Sequence, residues 1–167
     1  NNPIGYLSAG SYVTYLTDFY NGMNWAYVET DYNGKPIRAN YGTGILSSLF
    51  GAELYIMPRD MHTLPTTRQF GSTDKIQGLL DRGIPSLNGG LGQRVFDFAE
   101  LCAEAFAPCP LVKKYIEIYH PDVQGPLDIA ELMWGGEMFY AMYDEPELVH
   151  SVLDLISDTY TAFLEKW

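Results

Sequence analysis

The chain has 167 residues, 47% of them hydrophobic and 14% aromatic, which is enough to bury a core and too apolar for a disordered segment. Twenty-one acidic against ten basic side chains give a formal charge of −11. That charge repels phosphate backbones and anionic bilayers, so neither nucleic acid nor membrane is an expected partner.

Only Cys102 and Cys109 are present, with no CxxC and no paired Cys/His spacing, which argues against a disulfide framework or a zinc finger. No run of eighteen apolar residues occurs, and a reducing, cytoplasmic setting is expected. The chain opens on Asn rather than Met and stops inside a helical pattern, so a fragment of a longer protein is expected.

Residues 1–35 read as an irregular or helical lead-in. In "GSYVTYLTDFY", Tyr12, Tyr15, Leu16 and Phe19 recur at helical spacing, while "WAYVETDY" alternates as a strand does and runs into the turn "NGK". "PIRANYGTGILSSLFGAELYIM" reads as a strand, a glycine-punctuated loop, a short helix and a second strand over Ala52 to Met57. "PRDMHTLPTTRQFGS" is polar and broken by proline, hence a loop. A helix then starts from a Ser72 or Thr73 cap and ends near Gly83. After the flexible turn "SLNGGLG", another runs from about Gly92 to Ala107, burying Val95, Phe98, Ala99, Cys102, Ala105 and Phe106, until "PCP" stops it.

"KKYIEIYH" is the next expected strand. Gly125 and Pro126 open a helix with proline at N1, where its missing N–H costs nothing. The run "MFYAMYDEP" is expected to serve packing. The final stretch is the clearest helix: Asp144 and Glu147 have capping-box spacing, and Val149, Val152, Leu153, Ile156, Tyr160, Phe163 and Leu164 form one apolar stripe. Helices and strands at these intervals have the rhythm of βα units on a parallel sheet.

In such a sheet the loops leaving the C-terminal strand ends converge on one rim, where ligands bind. His120, Asp122 and Gln124 leave the strand "YIEIY" there. His120 suits a general acid or base, Asp122 can orient it, and Gln124 offers a donor and an acceptor. The alternative is a plain turn, with Asp122 capping and His120 bonded to backbone. Arg38, Asn40 and Tyr41 leave the strand near Pro36 to Ala39. Arg38 can fork onto a carboxylate, or simply hold a surface ion pair, and Gly42 and Gly44 allow close backbone approach. "GTG" is not a dinucleotide fingerprint. His62 and His150 read as structural or exposed.

Taken together, "LFGAELYI", "YIEIYHPDVQGPLDIAELMWGG" and "YDEPELVHSVLDLISDTY" resemble the uroporphyrinogen decarboxylase superfamily, which holds the decarboxylases of haem synthesis and the corrinoid-linked methyltransferases. The likeness covers about residues 36–167 and rests on Gly125–Pro126, Gly135–Gly136 and the stretch from Asp144 to His150. It implies an α/β fold, a partial (β/α)8 TIM barrel with parallel strands and outer helices, and with its C-terminal half absent. On the rim read above, His120 and Asp122 are the expected catalytic residues, and Arg38, Asn40, Tyr41 and Gln124 are expected to bind substrate.

Two departures bear on the branch. Ala39 and Asn40 stand where the decarboxylases carry Ser-Asp, and Leu132 stands where they carry Tyr. A neutral amide cannot grip pyrrole N–H groups as a carboxylate does. The methyltransferase-like branch is therefore favoured, with zinc and a corrinoid as cofactors and a small molecule or a corrinoid protein as substrate. Its zinc ligands would lie beyond residue 167, so no metal site is expected within this segment. Cofactor-independent uroporphyrinogen decarboxylation and a non-catalytic ligand-binding barrel remain the alternatives, and a homodimer of the full-length protein stays open.

Overall fold

The computed structural model describes residues 14–16, 26–29, 37–58, 61, 64–108, 110–115 and 117–167. His62, Cys109 and the side chain of Asn40 lie outside the described residues. In chain order the elements are β1 (Thr14–Leu16), β2 (Ala26–Glu29), β3 (Ile37–Asn40), α1 (Ile45–Leu49), β4 (Leu54–Tyr55), β5 (Thr66–Thr67) and α2 (Thr73–Arg82). There follow α3 (Gly92–Phe106), α4 (Pro110–Tyr115), β6 (Ile118–Tyr119), α5 (Pro126–Trp134), α6 (Glu137–Asp144) and α7 (Pro146–Lys166). The fold is mixed α/β and mostly helical, and it divides into two units.

The first unit comprises residues 1–42 and 94–122. Its sheet has the order β1-β2-β3-β6, and β3 and β6 are its parallel pair, with Ile37 opposite Ile118 and Arg38 opposite Tyr119. The β1–β2 and β2–β3 pairs are antiparallel. Parallel strands were expected in the stretch 36–167; β1 and β2 lie in the lead-in before it, and chain length explains their direction. Residues 17–25 and 30–36 are shorter than the dozen or so residues a parallel crossover needs, so those strands can only double back. The stretch from β3 to β6 is long enough to include helices. Thr14–Leu16 pairs as a strand where helical spacing had suggested a helix.

One face of β3 packs on α3. Ala39, Phe98 and Cys102 form a buried cluster, with Tyr41, Phe106 and Ile118 against it. Phe96 is buried as well, beyond the expected face. The "KKYIEIYH" strand is cut to its last part, because Lys113, Lys114 and Tyr115 belong to α4. Pro110 opens that helix, and the two lysines sit in its last turn, where cations complement the helix dipole.

The second unit comprises residues 43–93 and 123–167. α7 packs on α5, α2 and α6, and α5 packs on α1. Val149, Val152, Ile156 and Phe163 are buried along α7, each worth about 1.5–3 kcal/mol of transfer free energy. Thr159 is fully buried in the same stripe; its hydroxyl donates to Leu155 O at 2.8 Å, so it enters the core satisfied. Against it α5 sets Ile129, Ala130, Met133 and Trp134.

Polar staples hold α1. All five of its residues are buried, Ser47 Oγ meets Thr67 Oγ1 at 2.8 Å, and Thr43 Oγ1 donates to Thr66 Oγ1 at 3.1 Å. Ser48 Oγ donates to Ile45 O at 2.6 Å and accepts from Leu91 N at 2.9 Å. Leu54–Tyr55 is shorter than the strand expected over Ala52 to Met57, and it pairs with Thr66–Thr67 as a separate antiparallel ribbon. The β-branched threonine pair after Pro65 supplies the partner strand inside what read as loop.

Two further expectations are corrected. Asp144 is the last residue of α6 and keeps helical geometry, so it cannot cap α7; Glu145 (φ −137°, ψ 54°) stands at the cap without a side-chain hydrogen bond. The aromatic run of α6 is not packing either, since Met138 and Ala141 are buried while Phe139, Tyr140 and Tyr143 are exposed.

Candidate functional site

In a strand, successive side chains alternate between faces. Ala39 points to the α3-packed face of the first unit's sheet, so Arg38 occupies the opposite face. Its register partner Tyr119 shares that face and is exposed. The two neighbouring parallel strands thus carry a cation and a phenol ring side by side, near their C-terminal ends. Arg38 is half-buried, and its Nε–H is buried without a hydrogen-bond partner. A buried guanidinium N–H left unmade costs free energy.

Tyr41 follows β3 and packs against the Ala39–Phe98–Cys102 cluster. Burial pushes its phenol up to about 12, Arg94 draws it down, and Asp97 and Cys102 add to the rise. Tyr41 is therefore a neutral hydroxyl near neutral pH. Burial likewise pushes the Cys102 thiol up to about 11, so it is a small core residue and not a nucleophile.

At the exit of β6, the rings of Tyr119 and His120 stack with centroids 4.0 Å apart and a 35° tilt. His120 Nδ1 lies 2.8 Å from Pro121 O. A carbonyl only accepts, so Nδ1 carries the proton and Nε2 is the basic atom of the neutral ring. Asp122 is half-buried on the same exit loop.

Gln124 belongs to the second unit. It has φ 55°, the left-handed region that non-glycine residues rarely enter, immediately before Gly125 and Pro126. The Asp128 carboxylate accepts from Gly125 N at 3.2 Å and secures the start of α5.

Arg38, Tyr41, His120 and Asp122 are thus all carried by the first unit, on β3, β6 and the residues that follow them. The backbone of Asn40 closes β3. Sequence reasoning missed Tyr119, which strand register with Arg38 brings into play. It also missed Arg94 and Asp97, a helical (i, i+3) pair whose charges act on Tyr41. Gly44 has a packing reason: a Cβ there would lie 2.8 Å from Thr67 Cγ2. His150 is exposed on α7.

Among the described residues no group of three or more His, Cys, Asp or Glu could hold a metal ion, and no helix is long and apolar enough to cross a membrane. No protein-family model, curated protein or solved structure matches the chain.

Proposed function

We propose that this chain is part of a (β/α)8 barrel enzyme of the uroporphyrinogen decarboxylase superfamily. We place it nearer the zinc- and corrinoid-linked methyltransferase branch, and propose that it works in the cytoplasm on a small anionic substrate or a corrinoid protein. The observation that supports this reading is the β3–β6 pair. Two parallel neighbours have a helix against one face and Arg38 beside Tyr119 on the other, with Tyr41, His120 and Asp122 just past their C-terminal ends. A barrel carries its chemistry at that end of its strands.

Under this reading the half-buried Arg38 pairs its guanidinium with a substrate carboxylate. Tyr41 donates a neutral hydroxyl hydrogen bond, and His120 takes up or gives a proton at Nε2 while Pro121 O fixes its ring. The described residues do not fit a zinc ion, so the zinc ligands of that branch belong outside them, and no step here runs through the metal. Decarboxylation without a cofactor is the second reading. The half-buried Arg38 guanidinium favours it equally, because carboxylated pyrroles need cations to hold their side chains.

Titration with a polycarboxylated tetrapyrrole tests the site. Arg38→Gln is expected to weaken binding ~10- to 100-fold, the scale of one charge-assisted hydrogen bond. No binding by the unsubstituted chain at millimolar ligand sinks the reading. In the full-length protein, methyl transfer from a methylcorrinoid to a thiol, lost on chelation, separates the first branch from CO2 release from uroporphyrinogen.

A further inference from the structure

The geometry points to a docking surface on α6 for a cationic, apolar peptide segment. Helix α6 buries only a narrow stripe, Met138 and Ala141. Turned away from the core are Phe139 (58% exposed), Tyr140 (70%), Tyr143 (89%) and, at its margin, Met142 (38%). Phe139 and Tyr143 are four residues apart and Tyr140 and Tyr143 three, so the three rings form one continuous face. An exposed patch of this kind is seldom left bare without an interaction to serve.

Charge decides what covers it. Residues 115–165 contain eleven Asp or Glu and no Lys or Arg. On α6 and its end, Glu137, Asp144 and Glu145 are exposed around the rings. A second copy of this chain would bring two such acidic rims together, each on a chain of formal charge −11, so self-association is opposed. An acidic segment is opposed for the same reason. A segment that interleaves Arg with apolar side chains meets both needs: guanidinium groups lie over the ring faces and reach the rim carboxylates, while apolar side chains fill the space between rings.

The test uses three labelled peptides of one amphipathic sequence, carrying Arg, Gln or Glu at the polar positions, titrated by fluorescence anisotropy at moderate ionic strength. The Arg peptide is expected to bind, more weakly as salt rises, and the Glu peptide not at all. Tyr140→Ala with Tyr143→Ala is expected to lose ~10-fold, the scale of two exposed cation–π contacts. Tyr143→Ala alone, at the most exposed ring, is a second variant that leaves the core untouched, and it is expected to lose a few-fold. Three outcomes of the titrations overturn the proposal: no binding of the Arg peptide, equal binding of the Gln peptide, or equal binding by the aromatic variants, which would mean attraction to the net charge alone. Sedimentation showing a dimer that the double variant abolishes would assign the face to a second copy instead, and would overturn it too.

Discussion

Ser48 is the residue whose loss the fold should feel most for its size. It is 4% exposed, and its hydroxyl donates to Ile45 O while accepting from Leu91 N, joining α1 to the glycine-rich turn before α3. Ser48→Ala removes the acceptor and leaves the Leu91 N–H with no partner at a residue that is 2% exposed. An unmade buried donor costs about 1–3 kcal/mol, whereas the Ile45 carbonyl can still accept within its own helix, so its loss adds little. The expected destabilisation is about 2 kcal/mol, or a fall in Tm of about 4–8 °C for a chain of this length. Urea unfolding followed by circular dichroism measures it, with an unchanged m-value marking a stability effect rather than a change in the surface exposed. Ser151→Ala is the control: its hydroxyl also donates to a helical carbonyl, Glu147 O, but is exposed, and the change should be neutral. A Ser48→Ala cost below about 0.5 kcal/mol would refute the claim that Leu91 N–H depends on this hydroxyl.

The Tyr41 phenol, raised from 10.0 to about 12, holds its proton in the native state where the unfolded chain releases it. Stability is therefore full below pH 10 and falls as pH rises toward 12, by on the order of 2 kcal/mol. Tyr41→Phe should flatten that part of the profile. Gly90 (φ +47°) and Gly135 (φ +81°) both resist alanine, but unequally. A Cβ on Gly90 meets Ser48 O at 2.5 Å, which is backbone, while one on Gly135 meets the end of the exposed Gln69 side chain. Denaturation should find Gly135→Ala costing about 1–2 kcal/mol and Gly90→Ala more. Cys102 should react with iodoacetamide at pH 8 far more slowly in the native chain than in urea, as peptide mapping would show.

Much of the fold was legible where one period dominates. The α7 stripe, α3 and the start of α5 at Gly125–Pro126 follow from apolar spacing and proline placement alone. The strands were harder, because β4, β5 and β6 have two residues each and carry too little alternation to mark their ends. Strand direction departed from expectation in the β4–β5 ribbon, which is antiparallel where parallel strands were expected. Connection length, not side-chain pattern, decides it for β1 and β2. At the site, Arg38 and His120 stood out by residue type. Tyr119 did not, since only the register of β6 on β3 makes it a neighbour of Arg38. In α6 the composition invited a core assignment, yet the order of residues allows only positions three apart to reach the interior.

Glu145 closes α6 and opens α7 at once. With a single joint between two rods, neither can be lengthened without swivelling the other. One extra residue there would rotate α7 by about 100° about its axis and carry Val149 and Val152 out of their seats. Of the junctions between helices in the second unit, this is where variation in chain length should be least tolerated among descendants of this sequence.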